Sequence, residues 1–279
     1  MKANDKFFKI LNDKAQWVWE RTLQLHRKSP EMRVASSLSP IEILVVLYYG
    51  GFLKQDPSNP FWDDRDRCII SKGHGSLCMY PILADLGFFD SLELDKGLQE
   101  GSFLGGIPDP IIPGYETING SLGHGMGVGS GMALALKSNK KSQNVYVVTG
   151  DGELHEGSNW EAFMFAAQNS LNNLILIVDN NQICMLGPTD NIVSHIDLKE
   201  KLKTFGWKTF LIENGHSIKN IFDVLSDAVN DNSKKPKAII ANTKKGNRVP
   251  GLEGAPLSHV TAVNPSLIDE LIGKKDNDG

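Results

Sequence analysis

The chain contains 279 residues, of which 41% are hydrophobic and 22% are charged, and it includes 27 glycines. This is ordinary globular composition, and the length suits one large α/β domain or two small ones. A formal net charge of −4 gives no indication of nucleic acid or an anionic membrane as a partner, and we expect neither.

The cysteines and the N-terminal segment indicate the compartment. Cys68, Cys78 and Cys184 are an odd number without paired spacing, which is typical of reduced thiols in the cytosol. The N-terminal residues lack the long apolar core of a signal peptide, and no apolar run approaches the ~18 residues needed to span a bilayer. We therefore expect a soluble cytoplasmic protein.

Helical patterns flank one short strand in the first half of the chain. The predicted elements are a helix over about 13–28, a helix over Ile41–Tyr49, a strand over Cys68–Ile70 and a helix ending near Leu86. Ser39 is a favourable N-cap for the second helix, Pro40 suits its first position, and Glu42 can close a capping box.

The second half alternates more regularly between strands and helices. The predicted elements are strand Asn144–Thr149, helix about 159–169, strand Leu174–Val178, helix about 197–204, strand Lys208–Ile212, helix about 218–230 and strand Ala238–Ala241. Apolar strands separated by amphipathic helices predict an α/β fold with a doubly wound, mainly parallel sheet and helices on both faces. We expect residues 1–272 to form one domain and residues 273–279 to be a frayed tail.

Two polar motifs follow consecutive strands of this predicted sheet. Gly150-Asp151-Gly152 comes directly after one strand and Asn180-Asn181 after the next, so that Asn181 stands 30 positions beyond Asp151. Each motif alone is typical of a turn, but adjacent parallel strands would bring this carboxylate and this amide oxygen together. Such oxygens suit Mg²⁺, and the glycines and the following helix N-terminus suit an anion. The spacing therefore predicts a diphosphate–metal site.

This arrangement resembles the thiamine diphosphate signature, in which NN follows GDG by one strand–helix–strand unit. Four segments are similar to the N-terminal half of transketolases, above all those encoded as two subunits: DRCIISKGHGSLCMYPILADLGFF (66–89), NGSLGHGMGVGSGMALALK (119–137), GDGELHEGSNWEA (150–162) and DNNQICMLGPTDNI (179–192). The similarity extends from SLSPIEIL to TKKGNRV. It implies the diphosphate-binding domain of the thiamine diphosphate-binding fold. It also implies a transferase that moves a two-carbon ketol, or acetyl, unit from a ketone donor to an aldehyde or ketone acceptor.

The resemblance also places residues at the cofactor. It makes Asp151, Asn181 and the backbone carbonyl of Ile183 the ligands of Mg²⁺, or of Ca²⁺ or Mn²⁺ in its place. The other cofactor-binding residues that it implies, from the diphosphate to the aminopyrimidine, are Gly150, Gly152, His74, His259, Gly120 and Leu122.

Two histidines and two glutamates have further roles that the resemblance implies. His74 matches a histidine near the diphosphate and the substrate side of the thiazolium, and an ungapped alignment makes His259 a second one. A shifted alignment puts Glu253 in that second place, so the choice stays open, with His74 and His259 as our catalytic candidates. Glu156 and Glu161 match acidic residues that link two active sites across a subunit interface, with Glu156 bordering the cofactor.

The sequence departs from typical transketolases at the substrate. Arg33 and Ile107 stand where the family has substrate-facing histidines, and His124 replaces a common glutamine. Isoleucine neither donates nor accepts a hydrogen bond, so Ile107 suits a methyl ketone or pyruvate-derived donor, whereas Arg33 can pair with a carboxylate or phosphate. Alternatively, Arg33 faces solvent and Ile107 only packs. The donor and the acceptor stay undecided.

The chain contains no second α/β domain. In the family, the glutamate that activates the cofactor lies on a pyrimidine-binding domain, and the active site forms between two domains of different subunits. We therefore expect a separate C-terminal, pyrimidine-domain partner subunit, an α2β2 heterotetramer, and no activity from this chain alone.

Other functions compete with this interpretation. The chain would instead be a non-catalytic subunit that binds thiamine diphosphate, or a subunit of a 2-oxo acid dehydrogenase or deoxyxylulose phosphate synthase. A nicotinamide dehydrogenase is disfavoured, because no G-x-G-x-x-G follows an early strand with an acidic residue ~20 positions later.

Overall fold

One parallel sheet organises the protein. The computed structural model describes residues 4–97 and 99–273, and its strands are β1 (Arg67–Ile70), β2 (Val145–Gly150), β3 (Leu174–Asn180), β4 (Lys208–Ile212) and β5 (Lys237–Asn242). Within those residues the five strands lie in the order β1-β2-β3-β5-β4, and all neighbouring strands are parallel. The predicted α/β fold is confirmed, and no predicted strand end is wrong by more than two residues.

Helices connect the strands and flank them. They are α1 (Asp5–Lys28), α2 (Ala35–Leu38), α3 (Ile41–Tyr49), α4 (Met79–Leu86), α5 (Gly125–Ser138), α6 (Gly157–Gln168), α7 (Thr189–Val193), α8 (Leu198–Thr204), α9 (Ile218–Val229) and α10 (Pro265–Gly273). Short 3-10 turns follow β1 and β2, at Gly73–Gly75 and Gly152–His155, where the chain turns sharply at the strand ends.

The strands bury both of their faces. Successive side chains point to opposite faces of a strand, so Tyr146 and Val148 pack in one core, with α1, α3, α4, α9 and α10. Val145 and Val147 pack in the other core, with α5, α6 and α8. Continuous apolar strands are therefore explained by helices on both faces, as predicted.

Two local predictions were wrong. The first helix begins at Asp5 instead of near residue 13, because the side chain of Asn4 caps it by accepting from the Phe7 amide at 2.9 Å. The capping box at Ser39 does not form: the Ser39 hydroxyl donates to Asp179 Oδ2 at 2.6 Å, since that buried carboxylate requires donors. Glu42 instead contacts His216, with 3.0 Å between Oε2 and Nδ1.

The register aligns the carboxyl ends of the strands. Gly150 lies beside Asp179, and Asn180 lies beside Asn242, so the loops after β2, β3 and β5 leave the same edge of the sheet. The bounds 1–272 for one domain stay a prediction. Gly273, the first residue of the proposed tail, is the last residue of α10, and residues 274–279 lie outside the described residues. Among the described helices, none is long and apolar enough to cross a membrane.

Candidate functional site

A cavity of about 440 Å³ lies at the edge where the parallel strands end. Loops after β1, β2, β3 and β5, together with the loop before α5, form its walls. The sequence-predicted residues that line it are His74, Gly120, Leu122, Gly150, Asp151, Gly152, Glu156, Asn181, Ile183 and His259. Folding therefore gathers into one cavity residues that are far apart in the sequence.

The three residues predicted to bind a metal belong to adjacent strand ends. Asp151 is 2% exposed, and burial raises the pKa of its carboxyl, although a hydrogen bond from Thr189 to Oδ2 at 2.9 Å opposes that shift. The Asn181 Oδ1 accepts from the Ile183 amide at 3.2 Å, which holds the amide oxygen beside the backbone of Ile183. A buried carboxylate of this kind favours a cation as its neighbour.

A second buried carboxylate, Asp179, lies beneath this group. Burial alone would raise its pKa, but the ammonium of Lys72 and several hydrogen bonds hold the pKa below its usual value. Its other donors are Ser39 at 2.6 Å, Asn181 Nδ2 at 3.3 Å and the Thr243 hydroxyl. Because the NH2 group of the Asn181 side chain donates to Asp179, the carbonyl oxygen of the same side chain points away from that carboxylate.

Glu153 connects three glycine- and serine-rich loops at the cavity. Its Oε1 accepts from the Ser71 hydroxyl and from the Gly123 amide at 3.0 Å, and its Oε2 accepts from the Gly150 amide at 3.3 Å. The side chain is buried, which raises the pKa of its carboxyl. A single carboxylate thus sets the spacing of the loops that follow β1 and β2 and the loop that precedes α5.

Two imidazoles meet in the lining of the same cavity. The His74 and His259 rings lie edge to face with 4.7 Å between their centroids, and His259 Nδ1 is 3.2 Å from Ser36 Oγ. Burial and the positive charges of Lys72, Lys245 and Arg33 lower the pKa of His74 to about 3 and that of His259 to about 4. Both rings are therefore neutral at pH 7 and can donate and accept hydrogen bonds.

Lys245 extends into the same cavity from the end of β5. Its Nζ donates to the Ile183 carbonyl at 2.9 Å, and burial together with the charge of Lys72 lowers its pKa to about 8. The cavity therefore combines the ammonium groups of two lysines and glycine backbone with the carboxylates of Asp151, Glu153 and Glu156. Such a lining offers groups that can bind an anion and a cation together.

Comparison with known proteins identifies the family of this chain. Residues 33–274 match the family model described as transketolase, thiamine diphosphate binding domain. The chain belongs to the transketolase family.

Some relatives of this chain are named as single subunits of transketolases. It is 38% identical over 251 residues to a subunit of the apulose-4-phosphate transketolase of Actinobacillus succinogenes, covering 89% of this chain and 90% of that one. It is 36% identical over 262 residues to the 6-deoxy-6-sulfo-D-fructose transketolase subunit SqwG of a Clostridium strain, with 94% and 93% covered. These matches confirm the resemblance to two-subunit transketolases and the interpretation of the chain as a transferase subunit.

Longer transketolases match over less than half of their length. The crystal structure of the Campylobacter jejuni transketolase superposes with a TM-score of 0.88 at 31% identity, covering 95% of this chain and 43% of that one. Human transketolase is 32% identical over 275 residues, with 97% of this chain and 43% of that one covered. The fold is therefore that of the N-terminal part of these enzymes.

The transketolase cofactor and a hard divalent cation fit this donor set. Among the described residues, no three His, Cys, Asp or Glu side chains cluster as a metal site, so Asp151 would act with amide and carbonyl oxygens. Mg²⁺ favours such oxygens and completes its shell with phosphates. At Gly152 a Cβ would lie 2.9 Å from the Cβ of Cys184, so a larger residue would push against the loop after β3, which carries the Ile183 carbonyl.

The predicted substrate residues lie outside the cavity or at its edge. Arg33 and His124 are exposed and do not line the cavity. Ile107 lies at its edge, since a Cβ on Gly120 would be 3.6 Å from Ile107 Cδ1. Glu253 also lies outside, where it accepts from the Arg248 amide at 2.8 Å.

Two further predicted positions are on α6 or just before it. Glu156 and Glu161 are both exposed. They accompany the exposed apolar side chains of Met164 and Phe165, which are 55% and 43% exposed. This face of α6 is therefore open to a partner subunit, and the interface role stays a prediction.

Several further residues of this chain line the cavity but were not predicted from the sequence. They are Ser36, Lys72, Glu153, His155, Cys184, Met185, Leu186, Ile192 and Lys245. A usable signal existed for Lys72 and Lys245, because each lies shortly after a strand that ends at the cavity. Glu153 lies within GDGE, yet only the fold reveals that it binds backbone from separate loops.

Proposed function

We propose that this chain is the diphosphate- and metal-binding subunit of a split transketolase, which transfers a two-carbon ketol unit from a ketone donor to an aldehyde or ketone acceptor. The observation that carries the proposal is the single cavity that joins Asp151, Asn181 and Ile183 to His74 and His259. The cavity thus contains both predicted metal ligands and a pair of neutral imidazoles, which suits a cofactor whose charged tail and reactive ring differ in chemistry.

The predicted metal ligands would hold Mg²⁺, or Mn²⁺ or Ca²⁺ in its place. Asp151 would supply a carboxylate oxygen, Asn181 its amide oxygen and Ile183 its backbone carbonyl, and the diphosphate would complete the shell. The ammonium of Lys245 and the backbone amide of Gly152 line the same cavity and would neutralise and hold the diphosphate.

Thiamine diphosphate, when bound, supplies a carbon nucleophile that adds to the ketone and accepts the electrons of the broken C–C bond. Gly120 and Leu122 offer a surface without charge for its aminopyrimidine ring. His74 and His259 are neutral at pH 7, so each can hold or move a proton at a substrate oxygen without placing a fixed positive charge there.

A second subunit would complete the site. The relatives named as single transketolase subunits, which this chain covers to 90% and 93%, support a partner chain that carries the pyrimidine domain. Met185, Leu186 and Ile192 line the cavity and are 54%, 75% and 42% exposed, so an apolar partner surface fits at its mouth. We place the assembly, an α2β2 heterotetramer, in the cytoplasm, with Glu156 and Glu161 at the subunit interface.

The donor is a further part of the proposal. Two relatives carry in their names a phosphorylated and a sulfonated ketose, and the exposed Arg33, whose charge acts on both histidines, suits such an anionic group. The apolar Ile107 at the cavity edge favours, as the second candidate, a donor without a hydroxyl at that point, such as pyruvate.

Binding and turnover test these statements separately. Thiamine diphosphate should bind to the isolated chain in the presence of Mg²⁺, as measured by calorimetry, and Asp151→Asn should abolish the Mg²⁺ dependence. Turnover should require the co-purified partner subunit, and activity from the chain alone would refute the split-enzyme proposal.

Comparing the turnover of xylulose 5-phosphate with that of pyruvate, in wild type and in Ile107→His, decides the donor. Clear preference of the wild type for the sugar phosphate would exclude the acetyl donor.

A further inference from the structure

We propose that Thr189 is a positioning residue for the metal, because its hydroxyl holds one oxygen of Asp151 and ties that carboxylate to the loop bearing the Ile183 carbonyl. The inference rests on the proposed function, since it takes Asp151 and Ile183 as metal ligands. Thr189 is not a lining residue of the cavity, so its role would be exerted through Asp151 and not through contact with the cofactor.

Thr189 makes two hydrogen bonds that join separate strand ends. Its Oγ1 donates to Asp151 Oδ2 at 2.9 Å, and its backbone amide donates to the Gln182 carbonyl at 2.9 Å. The residue is 4% exposed, so water does not compete for either bond. Asp151 follows β2, whereas Gln182 and Ile183 follow β3, and Thr189 is therefore a fixed connection between the two loops.

The Thr189 hydroxyl engages only one of the two carboxylate oxygens of Asp151. With Oδ2 in this bond, Oδ1 would be the oxygen offered to a cation, as a single-oxygen ligand. Ile183 pairs with Pro188 in an antiparallel bridge, and its amide donates to Asn181 Oδ1 at 3.2 Å. All three predicted ligands thus belong to one hydrogen-bonded unit that includes Thr189, the arrangement by which outer residues orient metal ligands.

The segment after Thr189 holds the backbone of Asp151 as well. His195 is 7% exposed, and its Nε2 lies 2.8 Å from the Asp151 carbonyl; since a carbonyl only accepts, Nε2 carries the proton. The His155 ring stacks on His195 with 4.8 Å between centroids, and its Nε2 donates to the Val193 carbonyl at 2.8 Å. The chain from Thr189 to His195 therefore restrains both the carboxylate and the main chain of Asp151.

Replacement of the hydroxyl tests the proposal. Thr189→Val keeps the shape of the side chain and removes the donor, and it should weaken Mn²⁺ binding, measured by electron paramagnetic resonance with saturating thiamine diphosphate, by about 10–100-fold. Thr189→Ser returns the hydroxyl and should restore the affinity to within a few-fold. The matched control is Thr204→Val, because Thr204 also donates from its hydroxyl, to the Lys201 carbonyl at 2.7 Å, but lies on α8 away from the cavity.

The outcomes separate this proposal from the proposed function. Equal Mn²⁺ affinity in wild type and Thr189→Val would overturn the role of Thr189 and leave the metal site intact. Absence of Mn²⁺ binding in the wild type itself would overturn both. If Thr189→Val does not fold, Thr189→Ala serves in its place. A second test is His195→Leu, which removes the donor to the Asp151 carbonyl, compared with His195→Gln, which retains one. His195→Leu should lower the Mn²⁺ affinity, but by less than Thr189→Val does.

Discussion

Lys72 and Asp179 form an ion pair beneath the cofactor cavity, with both side chains almost fully buried at 2% and 0% exposed. Lys72 follows β1 and Asp179 lies near the end of β3, so the pair spans the intervening strand β2. Ser39, Asn181 and Thr243 donate to the same carboxylate, which leaves Asp179 fully hydrogen-bonded. Buried charges are tolerated only when they are paired in this way.

Removing one partner of this pair should strongly destabilise the chain. Lys72→Met leaves Asp179 charged and buried, so we expect the free energy of unfolding in urea to fall by roughly 3–5 kcal/mol. The double variant Lys72→Met, Asp179→Asn removes both charges and should regain part of the loss. Lys141→Met, which breaks the exposed pair with Asp64, is the control and should change little. Equal effects of the two lysine variants would contradict the prediction.

The tight wall at Gly152 should not tolerate a side chain. In Gly152→Ala the new methyl group would lie 2.9 Å from the Cβ of Cys184, so the loop that carries the Ile183 carbonyl must shift. We expect thiamine diphosphate affinity with Mg²⁺, measured by calorimetry, to fall at least tenfold, or by about 1.4 kcal/mol. Gly157→Ala is the matched control, since nothing lies within 4 Å of its Cβ position. A loss in the control as large as in Gly152→Ala would refute the steric explanation.

Glu153 should be required for stability as well as for loop position. Glutamine offers a single acceptor oxygen, whereas the carboxylate accepts from Ser71, Gly123 and Gly150. In Glu153→Gln at least one of these donors loses its partner, so the free energy of unfolding should fall by about 1–3 kcal/mol. Chemical denaturation of the cofactor-free chain measures this, with the exposed Glu31→Gln as control. No difference between the two variants would mean that the loops do not depend on this carboxylate.

The neutral state of His74 predicts a loss of stability in acid. Burial and nearby cations lower its pKa from 6.5 to about 3, so the unfolded chain takes up a proton below pH 6.5 that the folded chain does not bind until about pH 3. Stability is therefore lost as pH falls through this window, and the His74 contribution between pH 7 and 5.5 is about 1 kcal/mol. His74→Asn should lose correspondingly less stability in urea titrations at the two pH values. An equal acid loss in wild type and in His74→Asn would refute the prediction.

The sequence predicted the sheet well, and it predicted many of the residues that line the cavity, because their signals are local. Each strand is a continuous apolar run, and Gly150-Asp151-Gly152 and Asn180-Asn181 follow strands directly. The parallel register then brings Gly150 beside Asp179 without any further information. Residues in such motifs are found from their position in the chain alone.

Contacts between distant segments could not be predicted in the same way. Ser39 satisfies every local rule for a helix cap, yet its hydroxyl binds Asp179, which is 140 positions away. The Thr189–Asp151 bond is invisible in the sequence for a similar reason, since threonine in a loop has no periodic signal. The demand of buried carboxylates for donors overrides local preference at both places.

The bond from Lys245 to the Ile183 carbonyl has a consequence for how metal binding and cofactor binding affect each other. A divalent cation at that carbonyl would replace an ammonium with another positive charge, so the loop need not reorganise. The displaced ammonium would then be free to meet the diphosphate, while the carbonyl keeps a cation. Metal and cofactor should therefore show positive linkage, each raising the affinity for the other by the same factor. Titrating thiamine diphosphate at several Mg²⁺ concentrations measures this factor, and Lys245→Met should reduce it.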